Sequence, residues 1–240
     1  MLRALVRQRA TKGRDQARAT LHMQKALAQM NLLLANVVSD ITGKTGLAIL
    51  PQIVAGERNP KALAALRDPR IEANAVEVAR SLHGSWRSEH LLALSQALAH
   101  FDFLATQIAE CDVAIAAALA EQAQTTAAPP QVTKRLWKPR CSLNQQTQLH
   151  RALYQVLGVD LTAIPTIALE TTLIIAAEIG PDLTRFPSSE HSCPWLSVAP
   201  DARISGGKRL PGHAPKRFNR AGQVLRRYSA NEYAGGSVSD

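Results

Sequence analysis

The sequence predicts a mainly α-helical protein, built as a long antiparallel coiled-coil hairpin that is followed by a small helical C-terminal domain. Two properties of the composition favour helices: 46% of the residues are hydrophobic, yet only 4% are aromatic. Ala and Leu dominate the apolar positions, whereas strands are usually rich in β-branched and aromatic side chains. The third observation is an alternating three- and four-residue spacing of apolar residues in two long segments.

The first of these segments predicts a helix from near Leu2 to near Val38. Its apolar residues have the spacing of a coiled-coil seam. A second series repeats that spacing with one polar interruption, so the two helices are expected to pair as an antiparallel hairpin or with a second subunit. Two amphipathic helices of an ordinary globular bundle are the alternative. The two series are Met23, Leu27, Met30, Leu34, Val37 and Ile41, and Leu94, Leu98, Phe101, Ala105, Ile108, Asp112, Ile115 and Leu119.

Glycines and prolines between the two long helices predict short helical segments that form a compact tip. This region contains Gly43-Lys44-Thr45, which is similar to the end of a phosphate-binding P-loop. Position 38 is Val38, where the P-loop motif has its first glycine, and the preceding segment is predicted as helix instead of strand. The sequence therefore does not predict a nucleotide site here. The punctuating residues are Gly43, Gly46, Pro51, Gly56, Pro60, Pro69 and Gly84.

The composition changes after the second long helix, which places a domain boundary there. Residues 122–142 are rich in Gln, Thr, Ala and Pro and predict a flexible linker. The hairpin and its tip then occupy residues 1–121, the C-terminal domain occupies 143–228, and the polar stretch 229–240 is expected to fray. Within the C-terminal domain, helices are predicted at 145–157, 171–179, 188–196 with a break at Pro194, and 215–228.

The chain is strongly basic, with a net charge of +9 and a pI near 9.9. The charge is concentrated in three blocks, at 3–25, 134–151 and 203–227. Such clustering predicts an anionic partner and favours nucleic acid over a membrane surface. Solvated helix faces are the alternative for any single block. No apolar run of roughly 18 residues is evident, so no membrane segment is predicted.

Neither the cysteines nor the histidines predict a metal site. Cys111, Cys141 and Cys193 are far apart and show no C-x-x-C spacing, which fits a reducing compartment without disulfides. His191 and Cys193 supply one pair of possible ligands, but a second pair is not nearby. No metal ligand is therefore assigned.

The most informative stretch lies between Asp201 and Glu232, which holds eight Lys or Arg residues and no carboxylate. Near its start is Ser205-Gly206-Gly207-Lys208. Glycines allow a backbone to approach a bulky anion closely, and cations can neutralise it, so the stretch predicts a phosphate-binding loop with Ser205 as a possible nucleophile. An ordinary turn is the alternative for Ser205. The predicted nucleic-acid-binding residues are Lys208, Arg209, Lys216, Arg217 and Arg220.

An ordered series of motifs resembles the insertion-sequence-110 family of bacterial transposases over nearly the whole chain. The motifs are Met23-Gln24-Lys25-Ala26-Leu27, Val37-Val38-Ser39-Asp40-Ile41-Thr42-Gly43, Ala55-Gly56-Glu57-Arg58, Glu178-Ile179-Gly180, Arg185-Phe186-Pro187, Trp195-Leu196, Ala199-Pro200 and Ser205-Gly206-Gly207-Lys208.

This resemblance implies a DNA-moving enzyme in which Ser205 attacks a DNA phosphodiester and forms a covalent phosphoserine link. It also implies an N-terminal RuvC-like domain that carries a DEDD acid cluster with Mg²⁺, a coiled coil, and a C-terminal transposase domain with the serine. Some proteins of the family are guided by a structured RNA. The basic stretch has no carboxylate, so the activating group is expected to come from elsewhere in the protein, and His213 is the only local alternative.

The chain departs from the family pattern in three places. It starts about where the family's coiled coil starts, so the acid-bearing domain is expected to be absent, and Mg²⁺ is expected only together with that domain. Thr166-Ile167-Ala168 stands where relatives usually have a Gly-Ile-Gly hairpin. The end of the chain after Tyr228 does not resemble the family's last helices.

The resemblance therefore predicts a DNA transposase fragment of the bacterial cytoplasm that is expected not to act alone, without the acid-bearing domain. Its expected partners are DNA, a structured guide RNA and a second copy of the chain. The alternative is a noncatalytic nucleic-acid-binding module or a transposase relic. A purely oligomerising coiled-coil protein is a third reading.

Overall fold

The computed structural model describes residues 1–123, 143–164, 167–182, 184, 186–198, 203–205, 208–210 and 219–226. It is mainly helical, as the composition predicts. The helices are α1 (Leu2–Gln29), α2 (Leu34–Val37), α3 (Lys44–Ala55), α4 (Pro60–Ala64), α5 (Ala75–Ser81), α6 (Ser88–Glu121), α7 (Leu143–Leu157), α8 (Leu169–Ile179) and α9 (Ser189–Trp195), with a 3₁₀ turn at Leu161–Ala163.

Two compact units make up the chain. The hairpin unit is Gln8–Asp112, and the C-terminal unit combines Met1–Arg7 with Val113–Asp240. The predicted linker lies almost wholly outside the described residues, and the predicted tail lies entirely outside them. The predicted boundaries at 121, 142 and 228 therefore stay predictions.

In the hairpin unit, α1 and α6 contact each other in opposite chain directions. Arg9 forms an ion pair with Asp112 near one end. The Nε2 atom of Gln16 donates to the carbonyl oxygen of Phe101, at 3.4 Å. Asp112, the polar interruption in the second apolar series, thus has a charged partner on the other helix. Knobs-into-holes packing between the helices stays a prediction.

The predicted first helix ends earlier than the apolar spacing indicates. α1 stops at Gln29 because Asn31 adopts a left-handed conformation, with φ at 56°. The N–H of Asn31 donates to Ala28 at 2.9 Å, and the N–H of Leu32 donates to Leu27 at 2.9 Å. This pair of bonds is a Schellman motif, which satisfies the last carbonyls of a helix. The chain then turns instead of continuing to Val38.

The core of the hairpin unit nevertheless includes most of the predicted first series. Met23, Leu27 and Met30 are buried, and the residues after the turn join the same core. On α6, the buried face contains Leu104 and Cys111, whereas the predicted Ala105 is exposed. In the middle of α6, the buried positions therefore precede the predicted ones by one residue: Leu104 takes the place of Ala105, and Cys111 that of Asp112.

The short helices of the tip begin and end at recognisable signals. α4 starts with Pro60 after Asn59, whose side chain accepts from Lys61 N–H at 3.0 Å. α5 starts with a capping box, in which Asn74 and Glu77 each satisfy the other's backbone N–H. α3 ends at Gly56, which has a φ of 106° that glycine adopts without strain.

The Gly43-Lys44-Thr45 segment is structural in this unit. The hydroxyl of Thr45 is buried and accepts from the N–H of Asp68 at 3.0 Å, while Lys44 Nζ lies 3.8 Å from Asp68 Oδ2. Gly46 follows at a position where a Cβ would lie 1.8 Å from the carbonyl oxygen of Ile41. The glycine is thus needed for close backbone packing.

In the C-terminal unit, the first turns of α1 pack with the end of α6 and with α7 and α8. The buried residues of this core are Leu2, Val6, Ile115, Ala118, Leu119, Leu153, Val156, Leu173, Ala176 and Ala177. α7 and α8 match the predicted helices 145–157 and 171–179. The break predicted at Pro194 is wrong, because Pro194 lies inside α9.

Two short strands follow, which the sequence analysis did not predict. β1 (Arg203–Ser205) and β2 (Lys208–Leu210) pair antiparallel. Residues 220–226 are helical, within the predicted helix 215–228. Contrary to the sequence expectation, α6 is long and apolar enough to cross a membrane by length and composition alone. Core helices of soluble proteins have the same length and composition.

Candidate nucleic-acid interface

The candidate interface of the C-terminal unit is built around Glu178, near the end of α8. Leu173, Ala176 and Ala177 bury the apolar side of this helix, and Glu178 is buried with them, its side chain being 6% exposed. A buried carboxylate requires charged or hydrogen-bonding partners, because its desolvation is otherwise costly. The partners come from the start of the chain.

Arg3 and Arg7 provide these partners. They are four residues apart on α1, so their side chains point from the same face of the helix. Arg7 donates from Nε to Oε1 of Glu178 at 2.8 Å and from Nη2 to Oε2 at 2.7 Å. The pKa of Arg7 is raised, first by this hydrogen bonding and then by the negative charge of Glu178.

Arg3 makes a different set of contacts with the end of α8. Its Nη2 donates to the carbonyl oxygen of Glu178 at 2.7 Å, and its Nε lies 3.4 Å from Glu178 Oε2. Cations near a helix C-terminus stabilise the exposed carbonyls. Both arginines nevertheless keep about half of their side-chain surface exposed, at 49% for Arg3 and 48% for Arg7.

The helical segment 220–226 adds a third arginine, Arg220, to this region. The side chain of Asn219 accepts from Ala221 N–H at 2.9 Å and donates to the carbonyl oxygen of Trp195 at 3.4 Å. Arg226 donates to the carbonyl oxygen of Ser197. Gly222 is buried where a Cβ would lie 1.8 Å from the carbonyl oxygen of Leu196. The segment thus packs closely on the end of α9.

These elements enclose a small cavity of about 150 Å³. Its charged groups are three guanidinium groups and one carboxylate. Trp195, which is 39% exposed and lies 5.2 Å from the ring of Phe186, forms an aromatic wall. The lining residues are Arg3, Arg7, Glu178, Trp195, Asn219 and Arg220.

The predicted nucleophile lies on the strand pair. Ser205 ends β1 and is paired with Lys208, the first residue of β2, while Ile204 is paired with Arg209. The backbones of Ser205 and Lys208 are therefore adjacent, although the segment is a pair of strands and not a loop at these residues. Lys216, Arg217 and His213 lie outside the described residues.

The structure thus brings one predicted site residue, Arg220, into a described cluster. Arg3, Arg7 and Glu178 were not predicted as site residues. The four-residue spacing of the arginines and the motif Glu178-Ile179-Gly180 were visible in the sequence. What the sequence lacked was any signal that these residues meet.

Among the residues that the structure describes, no group of three or more His, Cys, Asp or Glu could hold a metal ion. Three carboxylates of the hairpin unit have local roles: Asp40 accepts from Thr42, Glu57 from Arg58 and Asn59, and Asp68 from Arg70. Arg70 lowers the pKa of Asp68 well below its usual range through hydrogen bonds. The described residues therefore do not fit the Mg²⁺ cluster of the family resemblance.

Comparison with known proteins supports the resemblance for one segment. Residues 160–227 match the profile of the transposase IS116/IS110/IS902 family. No curated protein and no solved structure matches the chain. The matched segment includes Glu178, Trp195, Ser205 and all five predicted nucleic-acid-binding residues. Residues 160–227 of this chain are therefore similar to the transposase IS116/IS110/IS902 family.

Proposed function

We propose that this chain acts in DNA transposition, with Ser205 as the nucleophile that attacks a DNA phosphodiester. The observation that carries the proposal is the family match over residues 160–227, which includes Ser205. The last part of that segment belongs to the stretch between Asp201 and Glu232, whose eight Lys or Arg residues without a carboxylate fit a polyanionic substrate. The transposase role follows from the family, and the serine mechanism is the finer proposal.

The proposed reaction exchanges one ester for another. The Ser205 oxygen forms a bond to phosphorus, and the bond between phosphorus and one sugar oxygen breaks. The hydroxyl proton passes to a base, and the leaving sugar oxygen takes up a proton. The strand then remains joined to the protein as a phosphoserine ester, which preserves the energy of the phosphodiester for rejoining.

In this proposal the cations of the basic stretch stabilise the negative charge that develops at phosphorus. Lys208 is adjacent to Ser205 across the strand pair at the level of the backbone. Fixed cations near the phosphorus stabilise the negative charge that develops on its oxygens. Lys208, Arg209, Lys216 and Arg217 are the proposed groups, and His213 is the local candidate for the base.

Metal assistance is assigned to no described residue, since no three His, Cys, Asp or Glu residues come together as a metal site in the described part of the chain. The acid-bearing domain that the family resemblance implies would have to supply an Mg²⁺ site. A structured guide RNA and a second copy of this chain are proposed partners, together with DNA. The bacterial cytoplasm, which contains the DNA substrate, is the proposed location.

The test is a search for a covalent protein–DNA adduct. The full chain is incubated with labelled duplex DNA from both sides of its own gene, in Mg²⁺, with and without an added RuvC-like domain and the RNA transcribed from the same flank. Denaturing gels then detect a labelled adduct, and mass spectrometry locates the modified residue. The expected result is an adduct at Ser205.

Matched variants decide the outcome. Ser205→Ala should abolish the adduct, whereas Ser229→Ala, which removes another serine of the same basic region, should leave it unchanged. An adduct that persists in Ser205→Ala would overturn the nucleophile assignment. Absence of any adduct in the complete mixture would favour the second candidate.

That second candidate is a noncatalytic nucleic-acid-binding module, and the net charge of +9 favours it. It requires salt-dependent binding, since released counterions drive the association of cations with phosphates. Binding should survive Ser205→Ala and weaken when Lys216, Arg217 and Arg220 are neutralised together. Binding that does not depend on salt would rule it out.

A further inference from the structure

We propose that the cavity around Glu178 holds one backbone phosphate of a nucleic-acid strand, with Arg220 as its main ligand and Trp195 beside an unpaired base. This inference rests on the proposed function, because it assigns a binding place for the same substrate class. It adds a site that lies outside the serine strand pair.

Arg3 and Arg7 share one anionic partner, Glu178, and its single negative charge offsets part of their positive charge. Glu178 accepts two hydrogen bonds from Arg7 and lies within ion-pair distance of Arg3. Arg220 lines the same cavity and is half-buried, yet it makes no hydrogen bond or ion pair to any described residue. A half-buried guanidinium without an anionic partner is costly, and an incoming anion would relieve that cost.

The electrostatic balance also favours an anion. Three guanidinium groups against one carboxylate leave an excess of two positive charges around the cavity. Glu178 also lines the cavity, but its side chain is almost fully buried and both of its carboxylate oxygens accept hydrogen bonds from Arg7. A guanidinium fork matches two oxygens of one phosphate, which a lysine does not.

The size of the cavity indicates the class of ligand. At about 150 Å³ it is smaller than the roughly 300–1,000 Å³ typical of small-molecule sites. It has room for a tetrahedral anion and not for a whole nucleotide. The rest of the strand would therefore lie outside the cavity.

Trp195 stands where the adjoining base would lie. Its ring is 39% exposed at the cavity wall and is held at one side by Phe186. Proteins that bind single strands combine cations for the backbone with exposed aromatic rings on which unpaired bases stack. An unpaired segment of DNA or RNA fits this arrangement better than an intact duplex.

The first experiment uses inorganic phosphate as the probe of the cavity itself. Thermal unfolding of the full chain is measured in phosphate and in chloride at equal ionic strength. The expected result is a higher melting temperature in phosphate for the wild type, and a smaller difference for Arg220→Gln. Arg87→Gln is the matched control, because it removes one exposed arginine outside the cavity.

The second experiment uses fluorescence anisotropy with labelled oligonucleotides of about 20 residues, longer than the roughly 4–16 nucleotides of one single-strand site. Single-stranded DNA, single-stranded RNA and duplex DNA form separate arms. Arg220→Gln should weaken single-strand binding about 5- to 10-fold and lower the slope of log affinity against log salt by about 1. The affinity of Arg220→Lys should lie between those of the wild type and Arg220→Gln. The affinity of Arg87→Gln should match that of the wild type.

The outcomes separate this inference from the proposed function. Equal phosphate effects in the wild type and Arg220→Gln overturn the cavity as an anion site, even when nucleic acid binds elsewhere. Equal losses of oligonucleotide affinity in Arg220→Gln and Arg87→Gln also overturn the cavity as an anion site. A phosphate effect without any nucleic-acid binding overturns the proposed function and the nucleic-acid part of this inference. If Arg220→Gln loses more affinity for duplex DNA than for single strands, the proposed stacking of an unpaired base on Trp195 is overturned.

Discussion

Arg7 and Glu178 form a two-pronged ion pair, with donor–acceptor distances of 2.8 and 2.7 Å, between residues 171 positions apart in the chain. The pair joins the first turns of α1 to the end of α8 within the C-terminal unit. The start of the chain, which belongs to a basic block by composition, therefore has a structural role in that unit. Its arginines are only partly available to an external partner.

Glu178→Gln is expected to lower the free energy of unfolding by about 1–3 kcal/mol, since charge-assisted hydrogen bonds contribute about that much and the arginines are half-exposed. The amide keeps one acceptor oxygen but loses the charge and the second acceptor. Urea unfolding followed by circular dichroism measures the change. Glu121→Gln, at an exposed position in the same unit, is the control and should change little.

Asn31 supplies the second prediction, on the turn that ends α1. Asn31→Ala should destabilise the protein by about 1–2 kcal/mol, because alanine is strained at the positive φ that Asn31 adopts. Asn31→Gly should be neutral or slightly stabilising, since glycine adopts this conformation readily. Thermal unfolding of both variants is the measurement. Equal losses for alanine and glycine would show that the side chain of Asn31, and not its backbone conformation, is what matters.

This turn shows what could be predicted from the sequence and what could not. The apolar spacing predicted two long helices correctly, because burial of one helix face imposes that period on the residues themselves. The same spacing continues through Leu34 and Ile41, which are buried after the turn, so periodicity did not reveal the end of α1. The end of α1 is set by the left-handed conformation of Asn31. An asparagine can also occur inside a helix, so its presence in the sequence did not mark this end.

The candidate site was less predictable than the fold. Arg220 and Ser205 were predicted from local charge and glycine content, which are properties of one stretch of chain. Glu178 lies in a distant helix, and its contacts with Arg3 and Arg7 depend on how the C-terminal unit folds. The two strands are three residues each, too short for a period-two pattern to be recognised.

The third prediction concerns Asp160 and pH. Burial by itself raises the pKa of Asp160, but hydrogen bonds from Thr162 and His150 outweigh it and lower the pKa below the ordinary value of 3.8. The Oδ1 atom of Asp160 lies 3.0 Å from Nε2 of His150 and 2.6 Å from the hydroxyl of Thr162. The carboxylate thus joins α7 to the 3₁₀ turn at Leu161–Ala163.

A lowered pKa in the folded state means that the carboxylate stabilises the protein above the unfolded pKa, and that this stability is lost as pH falls through the folded pKa. Asp160→Asn should therefore cost about 1–3 kcal/mol near neutral pH, and the difference from the wild type should shrink below about pH 4. Urea titrations at several pH values measure this. Asp182→Asn is the control, because exposed Asp182 makes the same local bonds to Thr184. A difference that grows in acid would contradict the assignment.

The fourth prediction uses Gly222 to displace Arg220 without changing any charge. A Cβ at this position would lie 1.8 Å from the carbonyl oxygen of Leu196, which is backbone and cannot move aside easily. Gly222→Ala should therefore shift the helical segment 220–226 away from the end of α9. Helix propensity alone favours alanine over glycine by about 1 kcal/mol, so any loss must come from the contact.

Affinity for single-stranded oligonucleotides should fall about 3- to 10-fold in Gly222→Ala, close to the effect of Arg220→Gln, because both changes remove the guanidinium from the cavity. Gln223→Ala changes the next, exposed residue and should preserve binding. Anisotropy titrations of the three variants at one salt concentration are sufficient. If Gly222→Ala lowers the melting temperature but leaves the affinity unchanged, the position of Arg220 does not matter for binding. Arg220 would then contribute by its charge alone, which contradicts its role in the cavity.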